Sequence, residues 1–308
     1  MKRFGWTHFG VMIPSLPAPH RYLGMMTMAG ETGQQAFDVL GEENHADPLD
    51  PVTVAVSTGA EGAYERRVLS ARSDCTFTDN KVRLGPLAEI RGVFPHYEVS
   101  MSAGDLSVQL TMDCRPEATW FIKSPLYDHL GFMAHYRGVI SLRDQLPIVI
   151  EGIGNLEYAR CASPAALLRR SFAHALPIDG FSYHVVELPG QRQILFAELQ
   201  GAGETIDGML ILRDMAAPND DVSTLGATYK VVGFAPEPAS ASGRTHYLPR
   251  SFVFASERLG VSVSGTYDCP QRFGVGVGYI SGYRATVHIG SETIDTRGYA
   301  EYVRATDT

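Results

Sequence analysis

Proton chemistry without a metal needs a carboxyl, an imidazole or a phenol held close together, and the sequence offers such groups in two places. Tyr267 and Asp268 stand side by side in Thr266-Tyr267-Asp268-Cys269, and His246 with Tyr247 lies upstream, after the Pro-, Ala- and Ser-rich stretch 235–243. A carboxyl such as Asp268, kept neutral by apolar surroundings, could protonate a carbon–carbon double bond, or could instead orient Tyr267 or His246. The faces of Tyr247, Tyr267 and Trp120 would steady the positive charge that develops. Trp120 belongs to a second group, with His129 and His135, near the middle of the chain. The plainer reading makes Trp120 and Tyr267 core aromatics, and the histidines rim or hydrogen-bonded buried residues.

Other chemistries find little support. Among the motifs absent are Gly-x-Ser-x-Gly, HExxH, a Walker loop and Gly-x-Gly-x-x-Gly; Gly274, Gly276, Gly278 and Gly282 fall in a strand-like run with no helix behind them. His129 and His135 are the nearest histidine pair and lack metal-ligand spacing, so no metal and no other cofactor is expected. Cys75, Cys114, Cys161 and Cys269 lie far apart, which suits buried free thiols. A net charge of −8 without a basic run argues against nucleic acid and anionic membranes as partners. No segment approaches the roughly 18–20 apolar residues of a spanning helix, and residues 1–19 have no signal-peptide core. The expectation is a cytoplasmic protein with a small-molecule partner and an undetermined oligomeric state.

The elements that must position these groups are strands, and they come twice. Tyr136 to Arg160 begins Tyr-Arg, runs as two apolar-rich strands about a polar turn, and ends Gly-x-x-Glu-Tyr-x-Arg; Tyr283 to Arg304 ends the second half in the same way, with Ala in place of one spacer. Thr111-x-Asp113-Cys114 precedes the first copy and Thr266-x-Asp268-Cys269 the second, while Ala-Gly-Glu-Thr occurs near the start of each half, at Ala29 and Ala202. The order is kept while the spacing drifts, as loop insertions after a duplication would leave it. Short β-rich runs separated by Gly, Pro, Asp and Asn fill both halves and predict antiparallel meanders that close to remove their edges. Alternation in Val108, Leu110 and Met112, and in Val261, Val263 and Tyr267, places Asp113 and Asp268 on the polar face of their strands. One helix is predicted over Ser163–Leu176, with Ser163 as cap and Pro164 at the first helical position. The expected architecture is all-β: two tandem lipocalin-like (calycin) barrels or half-barrels, 1–162 and 181–308, joined by a helix and linker at 163–180.

Duplication also sorts the polar residues. Groups present in both copies (Asp113 and Asp268, Arg137 and Arg284, Glu157 and Glu301, Arg160 and Arg304) are read first as ion pairs that hold the fold. Groups in one copy only, such as Tyr267 in place of Met112, are freer to act.

A duplicated meander ending Arg297-Gly298-Tyr299-Ala300-Glu301-Tyr302, with Gly152-Ile153-Gly154-Asn155-Leu156-Glu157-Tyr158 at its centre, resembles the lipocalin-like superfamily of carotenoid 1,2-hydratases and AttH-like proteins, which includes pericyclase-type cyclases. The resemblance implies an apolar pocket at the domain junction and no cofactor. By motif it casts Tyr267-Asp268 as the family's Tyr and Asp, and His246-Tyr247 as its His and aromatic pair. Where hydratases carry an acidic residue followed by His and Trp, this chain has Glu157-Tyr158-Ala159-Arg160, which implies a smaller apolar substrate than a carotenoid. The leading expectation is therefore a cofactor-free lyase or isomerase that hydrates, cyclises or shifts a double bond in a terpenoid, polyketide or aryl compound. Asp268, Tyr267 and His246 would be catalytic; Tyr247, Trp120, His135, His129, Tyr158 and Glu157 would contact substrate. The alternatives are a carrier of an apolar ligand, with Met25, Met26 and Met28 as adaptable surface, and a structural or partner-binding protein without a working pocket.

Overall fold

The structure, a computed structural model, describes residues 5–34, 36–38, 47–162, 178–217, 221–241 and 244–305. Among them every regular element is a strand. The first half contains β1 (Trp6–Ile13), β2 (Leu23–Ala29), β3 (Pro51–Thr58), β4 (Tyr64–Ser70), β5 (Cys75–Thr78), β6 (Lys81–Leu84), β7 (Ala88–Val93), β8 (His96–Ala103), β9 (Leu106–Cys114), β10 (Thr119–Lys123), β11 (Tyr127–Leu142) and β12 (Ile148–Cys161). The second contains β13 (Ile178–Leu188), β14 (Arg192–Gly201), β15 (Glu204–Asp214), β16 (Val222–Leu225), β17 (Thr228–Phe234), β18 (Ala239–Ala241), β19 (Arg244–His246), β20 (Pro249–Ser256), β21 (Val261–Tyr267), β22 (Arg272–Phe273), β23 (Gly278–Ile289) and β24 (Glu292–Arg304). The expected helix over Ser163–Leu176 lies outside the described residues.

Two antiparallel sheets repeat one winding. The first has the order β4-β3-β2-β1-β12-β11-β9-β8-β7-β6-β5, and the second β16-β15-β14-β13-β24-β23-β21-β20-β17. Each sheet's first strand lies between its second and its last, and a short extra strand, β10 or β22, pairs with the penultimate one. The repeated motifs fall at matching registers. Tyr136 pairs with Met112 and Arg137 with Thr111; Tyr283 pairs with Tyr267 and Arg284 with Thr266.

The sheets differ in closure: the first is a nearly closed barrel, the second a curled half-barrel. Between β4 and β8 all three strands join the first sheet, whereas between β16 and β20 only β17 does, because β18 and β19 pair off as a separate hairpin. Two register shifts around Gly233 further disturb the pairing of β17 with β20, and such irregularities end sheet growth. The edges β16 and β17 are left without ladder partners on one side.

Strand burial explains how the halves meet. In β9 the residues alternate strictly, with Val108, Leu110 and Met112 inside the first barrel and Gln109, Thr111 and Asp113 outside, as the sequence pattern predicts. Strands β2 and β3 are buried along their whole length, on both faces, and β1 nearly so. One face fills the first barrel; the other packs against the second sheet. Trp6, Met12, Tyr22, Met26, Met28 and Ala159 meet Tyr183, Val185, Leu195, Ile211, Ile280 and Tyr299 in a continuous seam core. Met25 points the opposite way, into the first barrel. No helix among the described residues is long and apolar enough to cross a membrane.

Candidate active site at the seam between the sheets

Glu157 is the most buried ionisable group of β12, and its neighbours explain how it is accommodated. Its register partners on both flanking strands are glycines, Gly10 on β1 and Gly131 on β11. A side chain at either would collide: a Cβ at Gly10 would lie 3.0 Å from His8 Nε2, and one at Gly131 3.0 Å from Asn155 Oδ1. Two residues along, Ala159 is flanked in register by His8 and His129. Small residues in the middle and imidazoles on either side let both rings lean toward the carboxylate. His8 Nε2 stands 3.8 Å and His129 Nε2 3.6 Å from Glu157 Oε2.

The other oxygen is held from both sheets. Asn155 Nδ2 donates to Glu157 Oε1 at 2.7 Å, and the Tyr183 hydroxyl donates to the same atom. Asn155 Oδ1 in turn accepts from the buried Arg213 at 3.0 Å, which fixes the amide's orientation. Arg213 also donates to Gln193 Oε1 at 2.6 Å, and Gln193 to the Ile153 carbonyl at 3.3 Å. Beyond it, Arg115 pairs with Asp221, and Thr119 donates to the same carboxylate at 3.2 Å. Burial pushes the Arg213 guanidinium down to about 10. Burial also opposes ionisation of Glu157, but contacts with His129 and His8 outweigh it and hold the carboxyl well below the usual range. His8 Nδ1 donates to the Thr27 carbonyl at 2.7 Å, which holds the ring with Nε2 toward Glu157.

Its duplicate behaves oppositely. Glu301 on β24 is flanked in register by Tyr183 and Ile280, not glycines, and no imidazole leans on it among the described residues. Burial and the nearby charge of Glu157 raise its carboxyl well above the usual range, against a weaker opposing effect of the Tyr299 hydroxyl, which donates to Oε1 at 3.1 Å. The surroundings thus push the two carboxyls in opposite directions. Tyr183 is the cross-strand register partner of Glu301 and donates to Glu157. Phe121 and Phe181 lie against Tyr183 at ring distances of 5.9 and 6.1 Å, and Trp6 against Tyr127 at 5.4 Å.

Of the sequence-predicted residues, the structure brings His129 and Glu157 together in this cluster. Tyr158, the next residue along β12, faces the first barrel and packs on Phe9 at 5.5 Å. Trp120 is 38% exposed under the Lys123 ammonium, because a register shift in β10 turns Phe121, not Trp120, onto His129 at 4.6 Å. His135 is exposed in a groove shared with Asp113, which itself accepts from His96 at 2.6 Å. Tyr267 packs inside the second sheet on Phe252 and Tyr283, at 5.4 and 5.8 Å. Asp268 faces outward, bound by both terminal nitrogens of Arg297 at 2.9 and 2.7 Å. Burial opposes its ionisation, but Arg297 outweighs that and lowers its carboxyl, so Asp268 is not the neutral acid expected. His246 is buried in the β18–β19 hairpin, whereas Tyr247 is 53% exposed. Cys114 is buried, Cys75, Cys161 and Cys269 are half-buried, and all four are free thiols.

Sequence reasoning passed over His8, Asn155, Tyr183 and Arg213, and read Glu301 as structural. A usable signal was present: Gly10 and Gly131 beside a glutamate, and unbroken apolar runs in β2, β3 and β14 that mark strands buried on both faces.

Residues 26–308 match the model of a family described as a family of unknown function (DUF6670). The chain belongs to this family. No curated protein matches it. Among solved structures, this DUF6670 member is similar to a putative AttH (NE1406) from Nitrosomonas europaea, with TM-score 0.68 and 12% identity over 99% of this chain and 94% of that one. It is also similar to CghA solved with Sch210972, with TM-score 0.53 and 9% identity over 99% of this chain and 89% of that one. At such identities the likeness is one of fold: all-β and lipocalin-like, of the AttH type.

Proposed function

We propose that this protein is a cofactor-independent lyase or cyclase acting on an unsaturated, largely apolar small molecule at the seam between two domains, 1–162 and 181–308, linked through 163–180. The observation that carries the reading is the unequal setting of the duplicated glutamates: His8 and His129 stand 3.8 and 3.6 Å from Glu157, whereas Glu301 lies between Tyr183 and Ile280 with no imidazole against it among the described residues. Two carboxyls driven apart by their surroundings are the usual mark of an acid and a base working together. Glu301 is the acid: its proton goes to a substrate carbon as the π bond opens. Glu157 is the base: it takes a proton from the cationic intermediate or, in hydration, from the attacking water. Tyr183, which donates to Glu157 and is the cross-strand neighbour of Glu301, would give the pair a route to exchange that proton and reset. Trp6, Phe121, Tyr127 and Phe181 supply electron-rich faces for the cation. The ligand found with the fold relative CghA supports a small-molecule site in this architecture. Of the residues chosen from sequence, Glu157 and His129 belong to this assignment; Asp268, Tyr267 and His246 do not.

The test is turnover. Small molecules that co-purify with the native protein, identified by mass spectrometry, are incubated with it in deuterated water. Wild type should convert one of them, and Glu301→Gln should slow conversion at least a hundredfold with fold and ligand binding retained. Undiminished turnover in Glu301→Gln would sink the assignment. Binding without any conversion would favour a carrier.

A further inference from the structure

A second cavity lies on the opposite face of the same strands. Because side chains alternate along a strand, His8 and Glu157 point to the seam while Phe9, Leu156 and Tyr158 point into the first barrel. There a cavity of about 510 Å³ opens between β1, β11 and β12 on one wall and β5 to β8 on the other. That volume falls within the roughly 300–1,000 Å³ of small-molecule sites. Phe9 stacks on Phe77 at 6.3 Å, and Leu130, Phe132 and Tyr97 complete an aromatic and aliphatic lining.

The mouth is apolar as well. Phe94, 46% exposed, lies 5.1 Å from Phe132, and its neighbour Val93 is 64% exposed, so the apolar surface continues from the lumen onto the rim. Charge narrows the class of occupant. Lys81, the one cation in the lining, pairs with Glu89 at 3.1 Å, a carboxylate that Arg91 shares at 2.6 Å, and Asp79 and Glu157 also belong to the lining. Acidic residues outnumber the single lysine there, which disfavours an anion.

We propose that the first barrel holds a second ligand site, separate from the seam, which takes an uncharged aromatic or polyunsaturated molecule through its open mouth. The site does not depend on the catalytic reading of the seam: it holds equally for an enzyme that stores or screens its substrate there and for a carrier.

The neutral fluorophore N-phenyl-1-naphthylamine, titrated into the full chain, tests it. A saturable fluorescence rise with one strong site is expected. Phe77→Glu, which puts a carboxylate in the lining at a half-buried position, should weaken it at least tenfold. Leu130→Trp, which fills the lumen, should do the same with near-ultraviolet circular dichroism showing both variants folded. No saturable binding overturns the proposal, as does binding that neither variant changes, which would place the probe elsewhere. Anionic 1-anilinonaphthalene-8-sulfonate binding as tightly as the neutral probe overturns the assigned ligand class.

Discussion

The coupling between Tyr183 and Glu157 can be measured by a double-mutant cycle. Tyr183→Phe keeps the ring in the seam but removes one of the two donors on Glu157 Oε1, leaving Asn155 alone. A hydrogen bond to a buried charge contributes about 1.5–3 kcal/mol, so a loss of roughly 2 kcal/mol is expected. Glu157→Gln removes the carboxylate that accepts from Asn155 and Tyr183, and losing a buried charge held by such hydrogen bonds costs about 1.5–3 kcal/mol. In the Gln background the Tyr183 hydroxyl no longer serves a charge, so removing it should cost much less. The double variant should be more stable than additivity predicts by at least ~1.5 kcal/mol. Urea unfolding of the four proteins at pH 7 and 25 °C reads this directly. Additivity within about 0.5 kcal/mol would refute the claim that the tyrosine serves the carboxylate. The pH profile supplies an independent check. A carboxyl lowered in the folded state contributes stability that is present above its unfolded value of ~4.3 and lost as pH falls through the folded one. That acid loss should be smaller and level off at higher pH in Tyr183→Phe, and lose its Glu157 component in Glu157→Gln.

Glu301 should give the opposite sign. Its carboxyl is raised, so above pH ~4.3 the unfolded chain releases a proton that the folded protein keeps, and stability falls as pH rises. Glu301→Gln should therefore gain on wild type between pH 4 and 7.5 in chemical denaturation; parallel profiles would mean that Glu301 is ionised in the native protein. His184, buried among Phe196, Phe252, Phe254 and Tyr283, is lowered to about 3 by burial. Below pH ~6.5 the unfolded chain takes up a proton there that the folded one refuses, at about 1.4 kcal/mol per pH unit, so His184→Leu should flatten the wild-type loss of stability between pH 6.5 and 4.5. An unchanged slope would refute it.

The fold was legible in the sequence because its signals are local and repeated. Alternation in Leu106–Cys114 and in Val261–Tyr267 gave strand faces that the structure keeps, and the repeated Tyr-Arg and Glu-Tyr-x-Arg motifs fell at equivalent registers. Closure of the second sheet was not legible, since it depends on whether β18 and β19 rejoin the sheet after an irregular β17, which no local pattern encodes. Most of the candidate site was missed for a different reason. His8, Tyr183 and Arg213 lie on separate strands, and only the packing of one sheet on the other brings Tyr183 and Arg213 to the Glu157 group. Trp120 shows the limit of face assignment: a single bulge beside it turned Phe121 inward instead.

The rule that groups shared by both copies are structural fails here for an instructive reason. Duplication copies a residue but not its neighbours. Glu157 and Glu301 occupy equivalent places, yet Ala159 lies between His8 and His129 whereas the corresponding Val303 lies between Phe181 and Gly278. Likewise Gly10 and Gly131 make room beside Glu157, whereas Tyr183 and Ile280 crowd Glu301. The same carboxyl, copied into two settings that then diverged, is pushed down in one and up in the other, because burial raises both and only one has imidazoles beside it to oppose that. Packing the two copies face to face then sets the pair within each other's field. A single unduplicated sheet has one such strand end, so it could hold one of these states but not both side by side.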